Sequence, residues 1–356
     1  MNSQPGTIHA IDKAKAEAHS RLIEQMRRIL GEDICAVFED PSAVEIMLND
    51  DGRVLVERHG QGIVELTRMS PSKAMNFLAL MAAHRETVVD RNRPIVEGAM
   101  PPEFRRARFA GCIPPLTPMP TFSIRLPTTK IFTLEDYVRA GIMLPAQSDQ
   151  LILALERRKN ILVSGGTGSG KTTLLNALSD HIAHTSGLDQ RIVIIEDTRE
   201  IVCNAPNTVQ MLTDPDADID MTRLLKLTLR YRPDRIFVGE VRDGAALALL
   251  KAWNTGHPGG LATLHANNPD AALIRLDQLC QEAGVPSQQA LIREAVDVVV
   301  QITRDPGHPA GRRISDIIFF GEGGPRGSAC LSPFGLAIPE QDDRLEEQTC
   351  SSYSDK

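Results

Sequence analysis

The octapeptide Gly165-Gly166-Thr167-Gly168-Ser169-Gly170-Lys171-Thr172 fills every fixed position of the phosphate-loop pattern G-x-x-x-x-G-K-[ST]. Its four glycines let the backbone curl tightly enough to aim N–H groups at one point. A following helix adds its unpaired N-terminal donors and the positive end of its dipole. Such a point binds a polyphosphate. The motif therefore predicts ATP as ligand, with Lys171 reaching the β- and γ-phosphates and Thr172 holding Mg²⁺ through its hydroxyl. The flanks agree: Ile161-Leu162-Val163 reads as a buried strand, and Leu174, Leu175, Leu178 and Ile182 recur at helical spacing.

A chain of 356 residues has room for two domains, each with its own core. With 42% hydrophobic and 24% charged residues, the composition is that of a soluble globular protein. The net charge is −7, of which the segment from Glu340 to Lys356 carries −4, leaving a body near neutrality. A near-neutral body has no broad basic field and argues against a nucleic-acid-binding role. The six cysteines form no C-x-x-C pair, which excludes the usual zinc and disulfide frameworks and suits a reducing cytoplasm. Lys13, Lys15, Glu17 and Arg21 interrupt the first helix, and no run approaches the roughly 18 apolar residues of a membrane span. Work at a membrane would require docking by a partner.

Residues 11–30 read as an amphipathic helix ended by Gly31. Two alternating runs, 44–48 and 54–56, flank Asp51-Gly52 and predict a hairpin. Ser70-Pro71 reads as an N-cap followed by proline at the first helical position. Together these predict a small α+β domain. From Arg91 to Arg125, arginines alternate with prolines. One reading is a solvated loop; the other is that a guanidinium from this stretch reaches phosphate, for which its planar fork is well shaped. Arg125, in the strand-like run 122–126, is the candidate on the second reading. Residues 128–150, with a helix around 134–140, read as a connection.

From Leu151 strands and helices alternate, the pattern of a mostly parallel sheet. The apolar runs 191–195, 235–239 and 261–264 end in Glu196-Asp197, Glu240 and His265 respectively. In open parallel sheets ligands sit at the carboxyl ends of the strands, so these residues fall on the same edge as the phosphate loop. Hydrolysis of a terminal phosphate needs neutralised charge and a positioned water. Glu240, a Walker-B-type carboxylate, would orient or deprotonate that water, or hold Mg²⁺ through a bound water. Glu196 or Asp197 could share the duty, and since neighbours on a strand face opposite ways, Glu196 is favoured. His265 fits a γ-phosphate sensor. One of Arg230, Arg232, Arg235 and Arg242 could act on a neighbouring subunit's nucleotide, whereas Asp243 and Asp277 read as surface or capping acids.

The phosphate loop, the acidic box Ile194–Glu200, the Walker B segment Arg232–Arg242 and the His box Gly260–His265, in that order, resemble the secretion-superfamily traffic ATPases. Leu250–Gly260, with its Trp253, and Arg108–Gly111 are most similar to the conjugal-transfer members of the type IV secretion branch. The resemblance covers roughly residues 20–305. It implies an α/β fold in which a RecA-like domain with a mostly parallel sheet (151–305) follows a smaller α+β domain (1–127). Beyond about Arg304 the chain departs from the family pattern, and with Gly321–Lys356 rich in glycine, serine and acids, 306–356 reads as a divergent disordered tail. The resemblance implies a hexameric ring at the cytoplasmic face of the inner membrane, working with inner-membrane secretion components and turning over ATP to drive pilus assembly or DNA or protein transfer. Residue by residue, it assigns phosphate and metal to Lys171 and Thr172, acid chemistry to Glu196 and Glu240, nucleotide sensing to His265 and a phosphate contact to Arg125. Alternatives are a type II secretion or type IV pilus ATPase, against which the missing four-cysteine insert counts, and a nucleotide-gated scaffold without productive turnover. A recombinase or helicase on the same core would show DNA-stimulated turnover.

Overall fold

The computed structural model describes residues 5–58, 61–127, 131–214 and 217–320, with side chains from residue 16 onward. Its elements are α1 (Pro5–Val37), β1 (Ala43–Leu48), β2 (Arg53–Arg58), β3 (Gly62–Arg68), α2 (Pro71–His84), β4 (Ile95–Ala99), β5 (Arg108–Cys112), β6 (Thr121–Arg125), α3 (Leu134–Arg139), α4 (Pro145–Glu156) and β7 (Ile161–Ser164). There follow α5 (Lys171–Thr185), β8 (Ile192–Glu196), β9 (Thr208–Leu212), α6 (Met221–Thr228), β10 (Arg235–Val238), α7 (Ala245–Asn254), β11 (Leu261–Leu264), α8 (Pro269–Gln281), α9 (Gln289–Ala295), β12 (Val298–Arg304) and β13 (Arg312–Phe319). The chain separates into two compact units. One runs to Thr133 and adds 172–189 and 194–224; the other comprises 134–171, 190–193 and everything from 225.

The first unit contains a six-stranded sheet in the order β3-β2-β1-β6-β5-β4. Every pairing in it is antiparallel. Ile23, Met26, Leu30, Ile34 and Val37 recur every three or four residues on α1 and are buried in the same core as Phe77, Leu78 and Met81 of α2. Gly31 ends the first segment of α1 as expected: its φ of 79° and ψ of 170° break the helix, and a second segment carries on to Val37. Ser70 caps α2 as expected, accepting from Lys73 N at 3.4 Å ahead of Pro71. The arginine- and proline-rich stretch is not merely a loop. It supplies β4 and β5, because Val96, Phe109, Phe122 and Ile124 keep an alternating buried face between the prolines. Phe109 and Phe122 close on Phe77 with ring centroids 5.7 and 5.2 Å away.

The second sheet has seven strands in the order β13-β12-β7-β11-β10-β8-β9. The pairings β12·β7, β7·β11 and β11·β10 are parallel, and β13 closes the edge antiparallel to β12. Strands β7, β8, β10 and β11 are buried at every residue, the texture of strands covered on both faces. Asn160 fixes the entry to three of them: its Oδ1 accepts from Gly260 N (2.8 Å), its Nδ2 donates to Ala295 O (2.8 Å) and its carbonyl accepts from Val298 N (3.1 Å). Two expectations about extent change. Helices α3 and α4 occupy much of 131–150, so that stretch is more than a connection. Ordered sheet also continues past 305, since β13 lies where a tail was expected; 321–356 fall outside the described residues.

Candidate active site

Because β7, β11 and β10 run parallel, the segments that follow them emerge at one edge of the second unit. These segments are the phosphate loop, His265 and Glu240. The loop curls as its composition requires, with φ of +66° at Gly168 and +104° at Gly170, values that disfavour any side chain. Gly165 packs so closely on the carbonyl of Ile302 that a Cβ would collide with it. Lys171 is buried, and its Nζ donates to the carbonyls of Gly165 (3.0 Å) and Gly166 (3.2 Å) and approaches His265 Nδ1 at 3.0 Å.

An ammonium only donates, so a ring nitrogen of His265 accepts from Lys171; Nδ1 at 3.0 Å is nearer to Nζ than Nε2 at 3.4 Å. Nε2 lies 2.7 Å from Glu240 Oε1, off the line of a hydrogen bond, and that oxygen has no hydrogen-bond partner. Arg242 Nε holds the other carboxylate oxygen at 3.1 Å. Burial lowers the His265 pKa, outweighing the opposing pull of Glu240, with Lys171 and Arg242 lowering it further. The imidazole is therefore neutral at physiological pH. A cleft of about 450 Å³ opens beside it, bordered by Gly166, Thr167, His265, Asn267, Arg275 and Gln278.

A second polar group forms within the other unit. Glu196 is buried at the end of β8, where Oε1 accepts from the backbone N–H of Glu200 (2.9 Å) and Ile201 (2.7 Å) while Oε2 has no partner. Burial pushes its carboxyl up to about 7, although those two hydrogen bonds pull the other way. Asp197 is exposed and takes the Thr213 hydroxyl at 2.9 Å, so Glu196 is the inward carboxylate of the pair, as the alternation of strand faces predicts. Thr172 donates its hydroxyl to Glu200 Oε2 at 3.2 Å, and Asn176 pins the Glu200 carbonyl at 3.0 Å. Glu200 is the functional candidate that sequence reasoning missed. Its signal was its place within the acidic box, four residues after Glu196.

The remaining expected residues scatter. Arg125 is exposed at the end of β6, opposite Glu45 and Arg108 on the flanking strands. Arg232 is exposed with φ 53°. Arg235 is excluded as a finger: it is buried, and its guanidinium is spent on Gln190 Oε1 (3.1 Å), Leu155 O (3.2 Å) and Gly259 O (3.3 Å). Arg242 is engaged with Glu240. Asp277 caps Gln288 N at 2.5 Å and Asp243 holds Ala245 N at 2.8 Å, the structural roles expected of both.

The sequence matches the family model described as Type II/IV secretion system protein over residues 35–318. The chain belongs to that family. Within the Type II/IV secretion family it is 46% identical over 301 residues to the probable conjugal transfer protein TrbB of Sinorhizobium fredii, a match spanning 85% of this chain and 90% of the relative. It is 30% identical over 322 residues to the type IV secretion system protein VirB11 of Bartonella henselae, spanning 78% and 88%. These relatives set it in the type IV branch, as the segments Leu250–Gly260 and Arg108–Gly111 implied. The pilus retraction motor PilT with bound ADP shares its fold at a TM-score of 0.60 and 22% identity, over 82% of this chain and 84% of PilT. Among the described residues no helix is long and apolar enough to cross a membrane.

Proposed function

We propose that this chain hydrolyses ATP as the motor of a conjugative or type IV secretion apparatus, working as a ring, expected to be a hexamer, peripheral to the cytoplasmic face of the inner membrane. The observation that carries the reading is the contact chain Lys171–His265–Glu240, drawn from the carboxyl ends of three parallel strands. The loop fits a polyphosphate: positive φ at two glycines opens its amides, and the buried Ser169 hydroxyl has no partner. Among the described residues no three His, Cys, Asp or Glu side chains converge as a metal cage. Phosphate-bound Mg²⁺ takes only one or two protein oxygens, which Thr172 with Glu200 or Glu240 would provide.

When bound, Mg²⁺ supplies charge neutralisation across the phosphates. The protein does the rest. Lys171 presents its ammonium to phosphate oxygens in exchange for the Gly165 and Gly166 carbonyls. His265, between the Lys171 ammonium and Glu240, shifts as that ammonium is shared with phosphate. Glu240, held by Arg242, orients the water and takes its proton as the water oxygen bonds to the terminal phosphorus and the β–γ bridging bond breaks. Glu196 is proposed as the second acid. Arg125 and Arg232 are proposed as further phosphate contacts. In Glu240→Gln, a motor keeps ATP binding and loses both hydrolysis and transfer; transfer that survives would mean a scaffold. Turnover unchanged by single-stranded DNA would rule out a helicase.

A further inference from the structure

The hairpin β12–β13 floors the phosphate loop, yet none of its residues belongs to the four boxes. Gly165 rests on Ile302, and a Cβ at Gly170 would meet Ile302 Cδ1 at 3.6 Å. Two residues on from Ile302, and hence on the same face of the strand, stands Arg304, paired in register with Arg312. Both guanidiniums lie on the loop. Arg304 Nε donates to Gly168 O at 3.1 Å, and a Cβ at Gly168 would collide with its Nη2. Arg312 Nη1 lies 2.6 Å from where a Cβ at Gly170 would sit. The next residue, Arg313, faces the other way and is matched by Asp305 at 3.0 Å. Among the described residues no carboxylate pairs with Arg304 or Arg312.

Two like charges placed directly opposite on adjacent strands repel, and no carboxylate among the described residues pairs with either to offset that cost. Five N–H donors extend from each guanidinium, and a single bond to Gly168 uses one of those on Arg304. The unspent donors stand over the two glycines whose missing side chains open the loop. An anion bridging them would offset the repulsion and satisfy the donors together. We infer that Arg304 and Arg312 are a cis arginine pair that grips the phosphate tail of the bound nucleotide from the side of the loop formed by the C-terminal hairpin. This rests on the reading of the loop as a nucleotide site. It extends that site to a segment whose sequence resembles a tail.

The test is calorimetric titration of the full chain with ATPγS, ADP and AMP, comparing the wild type with Arg304→Ala, Arg304→Lys, Arg312→Ala, Arg312→Lys and Lys171→Ala, with melting temperatures for each. Each alanine variant should bind ATPγS and ADP about tenfold more weakly, the loss expected for a charge-assisted contact, with AMP binding and melting temperature unchanged. The lysine variants should recover part of the loss, because they restore charge without the fork. The inference is overturned if the wild type binds and Lys171→Ala does not, while the alanine variants match the wild type. It is equally overturned if they bind more tightly, which would make the arginines a plug for the empty loop, or if affinity falls only in step with melting temperature. A wild type that binds no nucleotide would overturn the nucleotide reading and this one with it.

Discussion

The six-stranded and seven-stranded sheets bury their strands differently, and the difference decides where each can carry polar chemistry. In β2 and β5 buried and accessible residues alternate, so one face packs on α1 and α2 while the other is open to charge along its length. In β7, β8, β10 and β11 no position is accessible. A strand hidden on both faces can present a polar group only where it ends. Glu196, Glu240, His265 and the phosphate loop all sit at such ends, whereas Glu45 lies within β1 and accepts from the Ser123 hydroxyl in the middle of β6.

The largest expected effect tests whether strand-end residues serve chemistry alone. Glu240→Gln should lower kcat about 10²- to 10⁴-fold with the melting temperature held, measured by phosphate release and by scanning calorimetry. Unfolding in step with lost turnover would break the contrast. Next comes a polar scan of the strands by urea denaturation. Leu162→Asn and Val163→Asn, neighbours on β7, should both cost about 3–5 kcal/mol, since each loses apolar burial and strands an amide. On β2 the same change should be severe at Val56 and under about 1 kcal/mol at Leu55. A Leu162–Val163 difference as wide as that on β2 would show one face of the second sheet to be open.

A smaller effect comes from Glu196, whose folded-state value near 7 lies above its ordinary 4.5. The folded state therefore holds the extra proton between those values, and stability falls as pH rises through that window. Glu196→Gln keeps an acceptor for the two N–H donors and removes the titration. Its melting temperature should fall less than that of the wild type between pH 5 and pH 8; parallel falls would refute the assignment. The smallest effect is at Arg125, where alanine should change stability by less than about 0.5 kcal/mol and weaken ATP binding a few-fold by titration. Unaltered affinity would leave the first sheet's exposed face outside the nucleotide site.

The same contrast explains what could be read from sequence. Gly165–Thr172 is legible because its chemistry needs fixed residue types in an unbroken run, and β7, β10 and β11 are legible because burial on both faces demands unbroken apolar runs. Ser70 and Asp51-Gly52 are legible because caps and tight turns are decided within a few residues. By contrast, β4 and β5 are masked by prolines, which dilute a period-2 pattern. β13 opens with Arg312-Arg313-Ile314-Ser315-Asp316, a single apolar residue among polar ones, and so resembles solvated chain until its partner β12 is in place. Glu200, Arg304 and Arg312 owe their positions to contacts with segments far away in sequence, Glu200 with Thr172 and the arginines with the phosphate loop, which no local pattern announces. Arg235 reads as an available cation until its burial removes it from any such role.

One asparagine far from the chemistry sets the level at which the reacting groups stand. Asn160 clamps the bottoms of β7, β11 and β12, and β7 and β11 then climb four residues in matched register, from Ile161 beside Leu261 to Ser164 beside Leu264. Rods of equal height cut from a common baseline finish flush, so Gly165 and His265 surface side by side about 13 Å above it. Ammonium and imidazole meet at the summit because an amide levels the foundation.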